Sequence, residues 1–522
     1  MHSAAQVFSA NLLAALSELE VEEVFLAPGS RSQSLAIAAQ QLHDANRMVL
    51  RVRIDERSMA FTALGAAKAS GRPVAIITTS GTAVANLLPA VLEASHSGIP
   101  LILLTADRPA ELRGVGANQT TNQVGIFGDS VRACIDVEAP TDPVDTNFVK
   151  GLAEKAVSIA LGINQGSPGP VQLNLCFREP LSSAEPNASD LYPGARLSEQ
   201  EIYQPTFAIL SGDKNTILVA GADAGIEALE AAEAFGWPIF AEPSSRCRIG
   251  ANTIVGYPSL LEEEKELTEA IARVIVYGKP TLSRQVQKLI ARKDIELVVI
   301  KSRLMGPFNP YGNASEVADE ITVNGEVSND WLARWRVASH NWLSIQESSK
   351  SLDRRKIIET VYEVSEIEDT IVLGASRMIR EADTWAPAKA IQVFANRGLA
   401  GIDGTIATAT GIALGGEGSF TRAIIGDLTL IHDASSMIED VEEDLNLQLI
   451  MVNDQGGSLF EKLEVRNVVE EAVFDRIFRA GQKVDYWSLA NAYGFSYFCP
   501  TNEGELREAL AATGRVLIEI KL

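Results

Sequence analysis

Cysteine is scarce in this sequence and poorly spaced for metal chemistry. The four thiols, Cys134, Cys176, Cys247 and Cys499, include no CxxC pair and no neighbouring histidine cluster. That spacing rules against a zinc site and suits a reducing cytosol, so a cytoplasmic protein is expected. The five histidines are dispersed and form no HExxH or triad-like motif. His432 is given no role, a capped or core histidine being the plainer reading. No GxGxxG follows the first strand-like run, which weighs against a nicotinamide-dependent enzyme. The first residues, MHSAAQVFSANLLAALSELE, have neither the basic start nor the long apolar core of a signal peptide. Val74 to Leu92 carries no charge, but Thr78, Thr79, Ser80, Gly81, Asn86 and Pro89 divide it into strand, polar turn and helix. No membrane segment is therefore expected. Positive charge is in deficit, with 45 basic against 68 acidic side chains and a net charge of −23. Such a surface argues against nucleic acid or an anionic membrane as the main partner.

What is present is an α/β rhythm. At 522 residues, with 46% hydrophobic and 22% charged side chains, the chain reads as a soluble globular protein of three domains. In the first stretch VEEVFLAP, MVLRVRI, RPVAIITT and IPLILLTA read as buried strands, with helical patterns such as SMAFTALGAAKAS between them. The alternation implies a parallel sheet covered on both faces. The polar segment from Asp107 to Gly128 is longer than a plain connection needs, a common property of functional loops. Ser182 to Gln204 is rich in Ser, Pro and Asn and reads as a linker. TILVAGA, WPIFAEP, VIVYGKP and IELVVI then form a second α/β stretch. After a polar, Trp-rich passage from Asn324 to Trp342, a third carries TIVLGAS, IQVFAN, RAIIGD, LQLIMVND and RVLIEIK. The expected architecture is three consecutive α/β domains with mainly parallel sheets, over residues 1–185, 186–350 and 351–522. No repeat between them is visible beyond the shared rhythm.

Ligands of such sheets gather beyond the carboxyl ends of the strands. Two of those ends stand out. RAIIGD closes on Gly426-Asp427, and LQLIMVND closes on Asn453-Asp454, followed by Gln455-Gly456-Gly457, with the two carboxylates 27 positions apart. That interval has room for a return strand and one helix, and the helix would offer its N-terminal amides to a diphosphate. Two carboxylates and a backbone carbonyl in a Gly-rich turn suit Mg²⁺, which takes its remaining oxygens from phosphate and water. Either end alone is a common turn; the pairing is what favours a site. The acidic run from Ile438 to Asp444 is read as a solvated helix face.

The pairing resembles the signature of thiamine-diphosphate enzymes, with Leu428 in place of the usual glycine and Asp454 in place of the usual asparagine. Leu428 is typical of one branch, the 2-succinyl-5-enolpyruvyl-6-hydroxy-3-cyclohexene-1-carboxylate synthases. APGSRS, DERS, the long segment from ALGAAKASGRP to VLEAS, LTADRP and ELRGVGANQTTNQVGIFG resemble the hallmark segments of that family, in order. FANRGLAGIDGTIATATGIA, GDLTLIHD and NDQGGSLFEKLE continue the likeness. It implies a thiamine-diphosphate-binding fold with a pyrimidine-binding first domain, a central domain and a diphosphate- and metal-binding third domain. It also implies magnesium, or manganese in its place, and a homodimer or homotetramer. The activity implied is decarboxylation of 2-oxoglutarate and addition of the resulting unit to isochorismate in menaquinone biosynthesis. An acetohydroxyacid-type ligase and a catalytically inactive regulatory paralogue are the alternatives.

Thiamine catalysis needs a carboxyl group at the cofactor pyrimidine. RIDERS offers Asp55 and Glu56, which spacing cannot rank, and a helix N-terminal glutamate is ordinary in itself. The resemblance selects Glu56 as the catalytic group. Two substrates with two carboxylates each call for several arginines, whose planar fork binds a carboxylate bidentately. Arg31, Arg108, Arg377, Arg380 and Arg397 lie at predicted strand ends. By resemblance Ser30, Arg31, Arg108, Asn118, Gln119, Ser376, Arg380 and Arg397 approach substrate. Ser80, Gly81, Thr82, Gly426, Asp427 and Leu428 approach cofactor, and Asp427, Asp454 and Gly456 hold the metal. Leu459, Phe460 and Leu463 form an apolar wall, the first two against cofactor and the third against substrate. A Lys-Arg pair typical of the middle domain is reduced to Arg284, with Ser283 in place of the lysine.

Overall fold

The computed structural model describes residues 3–163, 166–198, 204–302, 306–327, 329–346, 351–416, 418–438 and 443–522. Residues 439–442 of the acidic run and 199–203 of the expected linker lie outside these. The chain forms two compact units. One holds Met1–Ile202, Arg397–Glu417 and Asp433–Asp444, the other Tyr203–Asn396, Gly418–His432 and Leu445–Leu522.

In the first unit six parallel strands, β1 (Glu23–Leu26), β2 (Val49–Val52), β3 (Val74–Thr78), β4 (Leu101–Asp107), β5 (Ala133–Val137) and β6 (Val171–Cys176), make one sheet in the order 2-1-3-4-6-5. The central strands β3 and β4 are buried along their whole length, as their apolar sequences require. Apolar clusters fill both faces of the sheet. The helix Glu56–Ser70 is capped by Asp55, whose side chain accepts from the N–H groups of Arg57 and Ser58, and ends at left-handed Gly71. A late segment, the helix Thr405–Ala413, is buried throughout and packs on it. The crossing is backbone to backbone: a Cβ on Gly65 would overlap the Thr408 carbonyl, and one on Gly411 would overlap that of Thr62. The Ser-, Pro- and Asn-rich stretch read as a linker is docked in part. Arg47 donates to the carbonyls of Ser189 and Leu191, and Ala188 and Ala195 are buried in this core.

The second unit contains two larger sheets and one small one. A pair, β7 (Phe207–Ser211) with β13 (Glu320–Asn324), stands beside a five-stranded sheet of β8 (Thr216–Ala220), β9 (Ile239–Ala241), β10 (Arg273–Tyr277), β11 (Glu296–Ile300) and β12 (Glu316–Ala318). The third sheet holds β14 (Thr370–Leu373), β15 (Gln392–Phe394), β16 (Thr421–Gly426), β17 (Leu447–Asn453), β18 (Ser496–Phe498) and β19 (Arg515–Lys521), ordered 15-14-16-17-19-18. Renumbered from its first strand, this is again 2-1-3-4-6-5. The repeat absent from the sequence is present in the topology. Tyr257 and Asp383 form a buried hydrogen bond, Arg248 donates twice to the Ala386 carbonyl, and Trp342 stacks on Trp385 at 4.9 Å. These contacts join the central part of the unit to its C-terminal part. Among the described residues no helix is long and apolar enough to cross a membrane.

Candidate active site

Strand order reverses between β1 and β3 in the first unit and between β14 and β16 in the second. Crevices open at such points, and the expected site residues follow those strands.

In the second unit β16 runs directly into the helix Asp427–His432, so Asp427 is buried at the junction. Its Oδ1 accepts from the Leu428 N–H at 2.9 Å, while its buried Oδ2 has no hydrogen-bond donor among the described residues. Burial first, then the neighbouring Asp454, push its pKa above the ordinary value, against the N–H groups of Leu428 and Gly456. Asp454 follows the adjacent strand β17. Its Oδ2 accepts from Arg354 at 2.6 Å and from the Ser458 hydroxyl. Gly456 has φ of 121° and lies where a Cβ would overlap the Arg479 carbonyl, so only glycine fits this turn. Two carboxylates drawn together, one with an orphaned oxygen, fit a cation. Among the described residues no group of three or more His, Cys, Asp and Glu side chains could hold a metal. Asp427, Asp454 and the Gly456 carbonyl would therefore supply part of a coordination shell that phosphate and water complete. The interval between the aspartates holds the expected helix, Asp427–His432, and the return strand β17. Between them a 3₁₀ turn, Ala434–Met437, belongs to the first unit.

Leu459 and Phe460 lie half-buried on the 3₁₀ turn Ser458–Lys462, with Leu463 directly after it, and Phe460 packs on Phe478 at 5.6 Å. Ser376, beyond β14, has φ of 90°, a strained value for a residue with a Cβ. Arg380 donates back to the Ser376 carbonyl, and Arg377 bonds Glu381 and the Ser458 carbonyl. Arg284 instead forms an exposed pair with Glu464 at 3.2 Å, and Ser283 caps its helix.

In the first unit the two acids of RIDERS have different surroundings. Asp55 Oδ1 caps the helix and its Oδ2 accepts from the Ser435 hydroxyl at 2.7 Å. Glu56 has one long contact, from Asn86 Nδ2 at 3.5 Å. After β3, buried Ser80 and left-handed Gly81 are held by the 108–128 loop. The Ser80 hydroxyl donates to the Gln119 carbonyl, Gln119 Nε2 donates to the Ser80 carbonyl, and the Gly81 N–H donates to Gln123 Oε1. Thr82 opens the next short helix and is exposed, as are Ser30 and Asn118. Buried Arg108 donates to Ser80 and to the Gln119 carbonyl. Burial and then the nearby Arg31 lower its pKa, with Asp107 opposing. Arg31 donates to the Phe177 carbonyl but keeps a buried Nε–H without a partner among the described residues. Two guanidiniums that feel each other's charge, one with an unused buried donor, have the chemistry to receive an anion. Arg397 is buried in the loop before the helix Thr405–Ala413.

Several contributors were not singled out from sequence. Gln123, Thr105, Gln172 and Asn174 form a buried network, joined to the strand-end Asp107, that anchors the 108–128 loop to β4 and β6. Its signal is the period-2 polar pattern of VQLNLC. Glu93 accepts from the N–H groups of Gly398 and Leu399, both at 2.7 Å, beside Arg397. Arg354 gives no local signal in the charged run DRRK.

Residues 7–126 match the thiamine pyrophosphate enzyme N-terminal TPP binding domain, and residues 376–520 match the corresponding C-terminal TPP binding domain. Proteins named 2-succinyl-5-enolpyruvyl-6-hydroxy-3-cyclohexene-1-carboxylate synthase are similar over nearly the whole chain. The one from Leifsonia xyli subsp. xyli is 40% identical over 98% of this chain and 95% of its own. The one from Arthrobacter sp. is 41% identical over 96% and 86%, and that from Kineococcus radiotolerans 40% over 98% and 94%. The chain belongs to this synthase family. It is therefore an enzyme of the thiamine-diphosphate class, as the sequence resemblance implied. For a synthase of this family, an acid pair after β16 and β17 and a glutamate opening the first unit's buried helix fall inside the two matched regions.

Proposed function

We propose that this transferase decarboxylates 2-oxoglutarate and adds the succinyl unit to isochorismate, giving 2-succinyl-5-enolpyruvyl-6-hydroxy-3-cyclohexene-1-carboxylate and CO₂ in menaquinone biosynthesis. The observation that carries the reading is the acid pair Asp427 and Asp454, with an orphaned oxygen, on adjacent strand ends in a chain alike to these synthases from end to end. Bound thiamine diphosphate supplies the electron sink for loss of CO₂ from a 2-oxo acid. Asp427, Asp454 and the Gly456 carbonyl hold magnesium, or manganese, and with Gly426 and Leu428 receive the diphosphate. Glu56 shares a proton with N1′ of the pyrimidine, near Ser80, Gly81 and Thr82. Arg31 and Arg108 take one substrate carboxylate, with Ser30, Asn118 and Gln119 at their rim. Ser376, Arg380 and Arg397 take others, and Leu459, Phe460 and Leu463 exclude water. The exposed pairing of Arg284 with Glu464 leaves it a lesser role.

Three domains, 1–185, 186–350 and 351–522, belong to the proposal, supported by a parallel sheet within each stretch. So do a cytoplasmic location, in keeping with four free thiols, and a homodimer or homotetramer, which light scattering would test. The functional test is turnover of isochorismate with 2-oxoglutarate, with and without thiamine diphosphate and magnesium. Product only when both are supplied is expected. Equal use of pyruvate would favour an acetohydroxyacid-type ligase instead.

A further inference from the structure

Asp433 is fully buried in the first unit, and its carboxylate collects four donors. The N–H groups of Ile406 and Ala407 donate at 2.8 and 3.2 Å, the Ser436 hydroxyl at 2.7 Å and Arg57 Nη2 at 3.3 Å. A buried carboxylate is costly unless so satisfied. Three of these donors come from two helices: the first turn of Thr405–Ala413, whose N–H groups lack intrahelical partners, and the first turn of Glu56–Ser70; Ser436 belongs to the turn after Asp433 itself. The next residue but one, Ser435, donates to Asp55. Both sequence neighbours of Glu56 are thus tied to the turn at 433–435, while among the described residues Glu56 itself makes only its long contact with Asn86. The two helices cross at Gly65 and Gly411 with no room for a Cβ, so a shift of one carries the other.

We propose that Asp433 is a positioning residue for Glu56, acting through Arg57 and the helix Thr405–Ala413. The proposal rests on the reading of Glu56 as the group that faces the cofactor pyrimidine. Asp433 sets where the first turn of the helix sits, and with it the reach of the Glu56 carboxyl. A displacement of about 1 Å at such a group can cost on the order of 10² in rate.

The test uses full-length Asp433→Asn, Arg57→Met and Glu56→Gln, each saturated with thiamine diphosphate and magnesium. Hydrogen–deuterium exchange at the thiazolium C2 of bound cofactor is read by acid quench and proton NMR, beside cofactor titration and thermal unfolding. Arg57→Met leaves three donors on Asp433, so it keeps the test open if Asp433→Asn does not fold. Expected are unchanged cofactor affinity and exchange slowed at least ~10-fold per bound cofactor in both positioning variants. A merely structural role would lower the unfolding temperature and leave that rate alone. Unmutated exchange in both, with Glu56→Gln slow, overturns the positioning role. Unmutated exchange in Glu56→Gln overturns the Glu56 reading and the proposal with it.

Discussion

The carboxylates of Asp427 and Asp454 lie close enough for the charge of one to raise the pKa of the other, yet they differ in their partners. Arg354 reaches Asp454 Oδ2 at 2.6 Å, and among the described residues no hydrogen-bond donor reaches Asp427 Oδ2. An ion placed there would relieve the repulsion and fill the orphaned oxygen. Asp454→Ala should therefore weaken magnesium and thiamine diphosphate together, by at least ~10-fold each. Calorimetric titration of the cofactor at several magnesium concentrations checks this. In the unmutated enzyme added magnesium should tighten the cofactor, and the variant should lose that dependence. Unchanged, independent binding in Asp454→Ala would remove Asp454 from the metal site.

Asp55 and Glu56 can be separated in the same way. Asp55 is committed to capping, which asparagine does equally well, and to Ser435, whose hydroxyl can accept from an asparagine amide instead of donating. Asp55→Asn should therefore keep near-normal exchange at the thiazolium C2. Glu56→Gln should slow it by about 10² or more, in the range for general acid–base groups. The reverse pattern would transfer the role to Asp55.

The contrast between these two acids shows what sequence could and could not convey. Uninterrupted apolar runs such as VAIIT and LILLTAD read directly as central strands, because burial on both faces demands them. The edge strands ACIDV, EVA and SYF carry no such run, since a strand with one neighbour needs fewer apolar residues, and in the central strand VQLNLC buried polar side chains interrupt it. The residues after strands were legible as site candidates because parallel sheets place ligands there. Asp433, Glu93 and Arg354 were not. Their partners are far away in sequence, 376 positions in the case of Asp433 and Arg57, and such pairings leave no period or spacing to read. For the same reason segments 397–417 and 433–444 gave no sign of joining the first unit.

The thiols should react in the order of their exposure. Burial pushes Cys247 and Cys176 up to about 12, Arg113 opposing in the second case, while Cys499 is exposed. At pH 8 a thiol with that pKa is only ~10⁻⁴ thiolate, and the thiolate is the reacting form. Timed alkylation with iodoacetamide followed by peptide mass spectrometry should find Cys499 modified early in the native protein. Cys176 and Cys247 should be modified only after unfolding. Native labelling of Cys176 at the rate of Cys499 would contradict its burial beneath Arg113.

Tyr257 bears on stability alone. Its ring is fully buried, stacked on Phe240 at 5.0 Å, and its hydroxyl donates to Asp383, a buried carboxylate of the C-terminal part of the second unit. Tyr257→Phe keeps the ring packing and removes the donor, leaving Asp383 with one fewer hydrogen bond. The cost should be about 1–3 kcal/mol, read as a lower urea midpoint, with activity at ambient temperature retained. The pH dependence supplies a second readout. Burial first, then the charges of Asp383 and Glu242, raise the phenol pKa well above 10.0 in the folded chain. The folded state therefore holds this proton after the unfolded state has released it, and stability falls as the pH climbs through and beyond 10. The phenylalanine variant has no such proton to lose, so its stability should fall less steeply over that alkaline range. Parallel curves for the two proteins would mean that the phenol is not held neutral by this site.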